Sequence, residues 1–278
     1  MRVRARPSMS QNPLAACEPW NLVADGYAET TMLAFEQYAE EAIAAAQLKP
    51  GATVLDVACG PGTLALKLAH QVDKVHGIDF SAAMLAVFQH KINQAGHNHI
   101  ELHCGDAQAL PYADATFDAA FSLFGLMFFP DRSKGFAEIY RTLKPNGSIA
   151  VTSWASLDQS PAMQIMFGAL RAMRPEQPQA QRAIATLENP DVFKQEMLDA
   201  GFCNVEIRRI TQTFPVTTIS EFWRFMVKGS APIQMMKKGM DEAEWRKREI
   251  LALVYLNKNL PDLPTELSSD AWLGVGVK

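Results

Sequence analysis

The sequence predicts an α/β fold built on an open parallel sheet, and three observations carry that prediction. Apolar runs of strand length alternate with segments of helical periodicity from Thr53 to Trp154. A small-residue loop, Cys59-Gly60-Pro61-Gly62, joins the first run to the helix after it. Three acids, Asp56, Asp79 and Asp106, fall at the C-terminal ends of strand-like runs. In such a sheet those ends line the crevice in which ligands bind.

The elements follow in order. Over residues 27–47, Met32, Phe35, Tyr38, Ala39, Ala42, Ile43 and Ala46 recur at helical spacing and predict one helix. Lys49-Pro50-Gly51 ends it and launches a first strand over 53–57. Residues 64–70 read as a helix, 73–79 as a strand, and 81–94 as a helix with Met84, Leu85, Phe88 and Ile92 inward. The third strand covers 99–105. The fourth covers 117–124, and its continuous apolar character marks burial on both faces. A helix over 133–143 and a turn at 144–147 lead to the fifth strand, 148–154. The regularity then breaks. An amphipathic helix around 163–173 runs into a Pro/Gln-rich stretch, 191–200 returns to helix, and 205–216 alternates as a long strand. An irregular block over 218–262 is rich in Phe, Trp and Met, and 271–277 closes the chain as a strand.

A chain of 278 residues is long enough for one large domain or one domain with an inserted subdomain. Its net charge of −4 gives no general attraction to nucleic acid. No apolar run approaches the roughly 20 residues that span a bilayer. The opening Met-Arg-Val-Arg-Ala-Arg lacks the apolar stretch of a secretory signal. Cys17, Cys59, Cys104 and Cys203 are scattered, without zinc-ligand spacing. A reduced, cytoplasmic protein without a metal is expected, acting on a small molecule rather than on nucleic acid or membrane, as a monomer or homodimer.

Gly60-x-Gly62-x-x-Ala65 matches the dinucleotide fingerprint, so an NAD(P)-dependent oxidoreductase is the first competitor. Against it, Asp56 would face a pyrophosphate, and the loop contains no Lys or Arg. Three acids in one crevice suit a ligand with cationic groups and hydroxyls. S-adenosylmethionine has those groups and no phosphate. Asp79 would accept from both ribose hydroxyls and Asp106 from the adenine amine. The helix N-terminus near Thr63 would meet a carboxylate, and Phe80 and Met84 would sandwich the adenine.

At this point five motifs, in order, resemble those of the class I S-adenosylmethionine-dependent methyltransferases. They are Val-Leu-Asp-Val-Ala-Cys-Gly-Pro-Gly-Thr, Gly-Ile-Asp-Phe-Ser-x-x-Met-Leu, Gly-Asp-Ala-x-x-Leu-Pro, Phe-Asp-Ala-Ala-Phe and Leu-Lys-Pro-Asn-Gly-Ser. The branch they are most similar to is the small-molecule, ubiquinone/menaquinone-methyltransferase-like one (type 11). The resemblance is close over 27–154 and looser over 200–202 and the terminal strand. It implies a Rossmann-like seven-stranded sheet of order 3-2-1-4-5-7-6, last strand antiparallel, with helical cap insertions. It implies S-adenosylmethionine as cofactor and S-adenosylhomocysteine as product. It places Asp56, Ala58 and Gly60 near the methionine part, Asp79 on the ribose, and Asp106 with the Ala107 backbone on the adenine; Cys59, Gly62 and Gly105 are further cofactor-binding candidates. Ser122 falls near the sulfur, and Tyr27 matches a tyrosine that reaches the cofactor carboxylate. Two departures stand out: Ala58 replaces the usual first glycine of the loop, and the family's histidines after strand four give way to Met127-Phe128-Phe129. The quinone enzymes' arginine-rich pattern before strand five is also missing, which counts against a quinone acceptor.

The division expected is a disordered tail over 1–18, a cofactor-binding domain over 19–155, 188–217 and 268–278, and a helical cap over 156–187 and 218–267. Trp20, Phe124, Met127, Phe128, Trp154 and Trp223 are the candidates to meet an apolar or aromatic acceptor beneath that cap. No histidine stands out as a catalytic base; all six lie between residues 70 and 103, on helices, turns or strand starts. Tyr27 is the remaining candidate. Methyl transfer then rests on in-line positioning and desolvation. A non-catalytic, cofactor-binding regulatory protein remains the other alternative.

Overall fold

The computed structural model describes residues 12–176 and 186–278. Residues 1–11 of the expected tail, and 177–185 of the first cap segment, lie outside the described residues. Residues 12–18 are ordered rather than tail: a short 3-10 turn at Pro13–Ala15 is capped by the Asn12 side chain and precedes α1, Glu18–Glu29. The Trp20 indole fixes that turn by donating to the Leu14 carbonyl at 2.9 Å.

The single helix expected over 27–47 is three: the end of α1, then α2 (Thr31–Ala34) and α3 (Glu36–Ala46). The chain leaves helical geometry at Thr30, whose hydroxyl back-bonds to the Gly26 carbonyl at 2.6 Å. Threonine competes for helix carbonyls in this way, and the pattern of apolar spacing carries no trace of it.

β1 (Thr53–Val57), α4 (Thr63–Leu68), β2 (Lys74–Asp79), α5 (Ala82–Ala95) and β3 (Ile100–Cys104) follow. Then come β4 (Phe117–Leu123), α6 (Arg132–Thr142) and β5 (Leu143–Trp154). After α7 (Pro161–Ala172) and α8 (Pro190–Asp199), β6 (Cys203–Val216) runs to the sheet edge. The final strand is β7, Thr265–Val277. The sheet has seven strands in the order β3-β2-β1-β4-β5-β7-β6. β1 to β5 are parallel, and β7 is antiparallel to both its neighbours, as expected. Val54, Leu55 and Val57 of β1 and Phe117, Ala119, Ala120 and Phe121 of β4 are fully buried, because helices cover both faces of these central strands.

The block over 218–262 is helical: α9 (Ile219–Gly229), α10 (Ala231–Lys238) and α11 (Glu242–Asn259). α11 hid its period because its apolar side chains go round the helix, with Ala252 and Leu256 buried but Ile250 and Val254 exposed. These helices and α7 share a core of their own around Met173, Trp223, Met226, Ile233, Trp245 and Leu256.

The turn from β1 into α4 depends on Gly62. Its φ is +91°, in the left-handed region, and a Cβ there would overlap the fully buried Phe88 ring. Gly62→Ala is expected to cost about 1–3 kcal/mol through overpacking, plus the backbone strain, read as a lower urea midpoint.

Candidate active site

Above the C-terminal ends of the parallel strands lies a cavity of about 1340 Å³. That exceeds the usual 300–1,000 Å³ of a one-ligand pocket. Tyr27, Asp56, Ala58, Cys59, Gly60, Asp79, Phe80, Met84, Gly105, Asp106 and Ala107 all line it, so the structure brings these sequence-derived positions together. Trp20, Phe124, Met127, Phe128 and Trp154 line it as well.

Three positions fall outside the lining. Gly62 turns toward Phe88. Ser122 is fully buried and its Oγ accepts from the Leu126 N–H at 3.2 Å, bracing the turn after β4 while Leu123 and Phe124 face the cavity. Trp223 stacks on Trp245, centroids 6.3 Å apart, and donates to Glu249 at 2.7 Å. It is core of the helical layer, and its neighbours Phe222 and Phe225 reach the cavity instead.

Asp79 ends β2, and both its carboxylate oxygens are met by backbone amides. Gly60 N–H donates to Oδ2 and Ser81 N–H to Oδ1, each at 2.8 Å. Burial pushes its pKa up, and the amides of Ser81, Gly60 and Phe80 pull it back. Asp56, 2% exposed, is placed one strand over, and its Oδ2 has no partner. Burial first, and the Asp79 charge second, push Asp56 up to about 8. Burial and the same Asp79 charge raise Tyr27 above the ordinary tyrosine range. Cys59 is likewise raised by burial and by Asp56 and Asp79, so its thiol is inert near neutrality. Asp106 is exposed, and both its carboxylate oxygens accept from the Gln108 side chain at 3.0 and 3.2 Å, which still leaves lone pairs free.

The other part of the cavity is aromatic. Phe124 stacks on Trp154 at 4.1 Å and tilts against Phe35 at 4.6 Å, while Trp20 meets Phe128 at 5.3 Å. Met163 and Met166 of α7 with Phe222 and Phe225 of α9 complete the wall. Sequence reasoning missed Phe35, Gln108, Gln212 and Ser269. Helical spacing had assigned Phe35 to packing, Gln108 fell at an unspecified position of the third motif, and Gln212 and Ser269 lay in segments without one.

Ala58 occupies the position where a glycine was expected, at φ +55°. Its Cβ sits where a Cβ on Gly125 would be, so the missing side chain has moved to the facing loop. Among the described residues, no group of His, Cys, Asp and Glu is arranged to hold a metal, and no histidine lines the cavity. No helix among them is long and apolar enough to cross a membrane.

A family described as a methyltransferase domain matches residues 54–147. That match, the five ordered motifs and the seven-stranded topology agree in supporting a methyltransferase similar to the class I S-adenosylmethionine-dependent enzymes. Its relatives include the demethylmenaquinone methyltransferase of Anoxybacillus flavithermus, 29% identical over 59% of this chain and 75% of that protein. The enzyme of the same name from Desulfitobacterium hafniense is 35% identical over 48% of this chain and 55% of that one. The chain thus spans three quarters of the first relative and about half of the second. A putative methyltransferase structure from Bacillus halodurans shares the fold, with a TM-score of 0.57 and 20% identity over 87% of this chain and 99% of that one.

The residues present fit that cofactor. A buried carboxylate with an orphaned oxygen has no cation of its own here, and S-adenosylmethionine carries an ammonium.

The buried Asp56 and the Ala58–Gly125 contact each have a measurable consequence. Asp56 keeps its proton in the native state up to about pH 8, but loses it in the unfolded chain above about 3.8. The native state therefore binds more protons between those values, and stability falls as pH rises through that window. Thermal unfolding midpoints are expected to drop across it, with a flatter slope in Asp56→Asn. Second, Gly125→Ala is expected to destabilise the protein far less in an Ala58→Gly background than in the wild type, a positive coupling in a double-mutant cycle.

Proposed function

We propose that this protein transfers the methyl group of S-adenosylmethionine to a small, apolar or aromatic acceptor by in-line displacement. The observation that carries the reading is the continuity of one cavity, acid-lined at the strand ends and aromatic- and Met-lined toward α7 and α9. When bound, the cofactor supplies an electrophilic methyl group on a sulfonium. Asp56 faces its ammonium, and Tyr27 with the first turn of α4 serves its carboxylate. Asp79 accepts from the ribose hydroxyls. Phe80 and Met84 flank the adenine, with Asp106 and the Ala107 backbone at its polar edge. α7 and α9 to α11, with their separate core, act as the cap over the acceptor.

No histidine among the described lining residues offers itself as a base, so rate acceleration rests on alignment, worth up to about 7–11 kcal/mol in favourable cases. Exclusion of water by the aromatic wall adds to it. Demethylmenaquinone, the acceptor named for the two relatives, belongs to this apolar aromatic class and heads the panel to test, alongside simple phenols and naphthols. The missing arginine pattern makes a non-quinone member of that class equally worth assaying.

S-adenosylhomocysteine formation from S-adenosylmethionine across the panel is the test. Binding without turnover on any acceptor would favour a regulatory protein, and stabilisation by NAD alone would sink the assignment. Asp79→Ala is expected to abolish cofactor binding by calorimetry; unchanged affinity would refute the ribose role.

A further inference from the structure

β6 and β7 run on past the end of β5. Trp154, the last residue of β5, pairs with Ala271, yet β7 begins at Thr265 and stays paired with β6 as far as Val216. This two-stranded overhang turns one face to the cavity. Gln212 lies opposite Ser269 and Phe214 opposite Leu267, and all four line the cavity. Directly opposed residues of an antiparallel pair share a face, as do residues two apart on one strand.

On this otherwise apolar face Ser269 and Gln212 form a polar pair, and they differ in how their hydrogen bonds are met. Gln212, in the amide orientation that satisfies its surroundings, donates to the Ala34 carbonyl at 3.0 Å and accepts from the Tyr38 N–H at 2.6 Å. It thereby caps the start of α3 and keeps one N–H and one lone pair in reserve. Ser269 is 1% exposed and its Oγ has no partner. Its backbone carbonyl is held by the Tyr38 hydroxyl at 3.0 Å, so the residue is fixed in place. A buried hydroxyl without a partner is costly, and a ligand that supplies the partner recovers that cost.

The charges around the cavity are one-sided. Glu36, Glu40, Asp79, Asp106, Glu188 and Glu221 line it beside the protonated Asp56, Lys67 pairs with Glu36 and Glu40 from outside the lining, and among the described residues no Lys, Arg or His is part of it. A carboxylate or phosphate on the acceptor would find no cationic side chain in that lining.

We propose that Ser269, backed by Gln212, is the polar anchor of the acceptor chamber, and that it selects an uncharged aromatic acceptor bearing a hydroxyl or carbonyl and rejects anionic ones. The inference rests on the methyltransferase reading and narrows its acceptor.

The test uses full-length protein saturated with S-adenosylhomocysteine and three probes of one ring system: 1-naphthol, naphthalene and 1-naphthoate. Calorimetry is expected to show 1-naphthol binding about 5–10-fold tighter than naphthalene, the size of one net hydrogen bond, and no binding of 1-naphthoate. Ser269→Ala is expected to bring 1-naphthol down to the naphthalene affinity, leaving naphthalene and S-adenosylhomocysteine unchanged. The same variant is expected to melt no lower than the wild type, since its missing hydroxyl had no partner to lose. Failure to bind S-adenosylhomocysteine would count against the methyltransferase reading itself. With that binding intact, the anchor is overturned if 1-naphthol fails to bind, if Ser269→Ala keeps the preference, or if 1-naphthoate binds as well as 1-naphthol.

Discussion

Two backbone amides converge on one buried carboxylate, and the rest of the site depends on it. Gly60 and Ser81 donate to opposite oxygens of Asp79, which joins the β1–α4 loop to the start of α5 across the end of β2. Hydrogen bonds to a charged acceptor contribute roughly 1.5–3 kcal/mol each. They also pull its pKa back against burial, which raises it. Asp56, Tyr27 and Cys59 all respond to that charge in the same direction, toward retaining their protons. One anchored carboxylate thus shapes both the loop and the protonation of its neighbours.

The aromatic half obeys a different constraint, close packing. Phe124 has a positive φ of 53° and sits between Phe35, Tyr38 and Trp154, with its own N–H held by Thr152. A bulky residue in the left-handed region is sterically costly. Here the rings on three sides and the Thr152 hydrogen bond over-determine its position.

The parallel half of the fold was legible because each level agreed with the next. β1 begins and ends where its apolar run does, and Met84, Leu85, Phe88 and Ile92 face inward from α5 as their spacing requires. The strand-end acids were legible for the same reason, since the sheet delivers each to one crevice. Legibility failed where side chains act on backbone without periodicity. Thr30 breaks a helix whose apolar spacing continues through it. Ser122 and Trp223 carried the right chemistry for a site, but a turn and a neighbouring tryptophan use them. Gln212 and Ser269 became visible only once β6 and β7 were placed in register.

The one-sided charge of the cavity bears on turnover as well as on recognition. On the reading proposed above, the donor enters with a sulfonium and leaves as a neutral thioether, while the lining stays acidic throughout. The negative field therefore holds the spent cofactor less firmly than the fresh one. Exchange of product for donor runs downhill in electrostatic terms, and the wall needs no moving part to favour it.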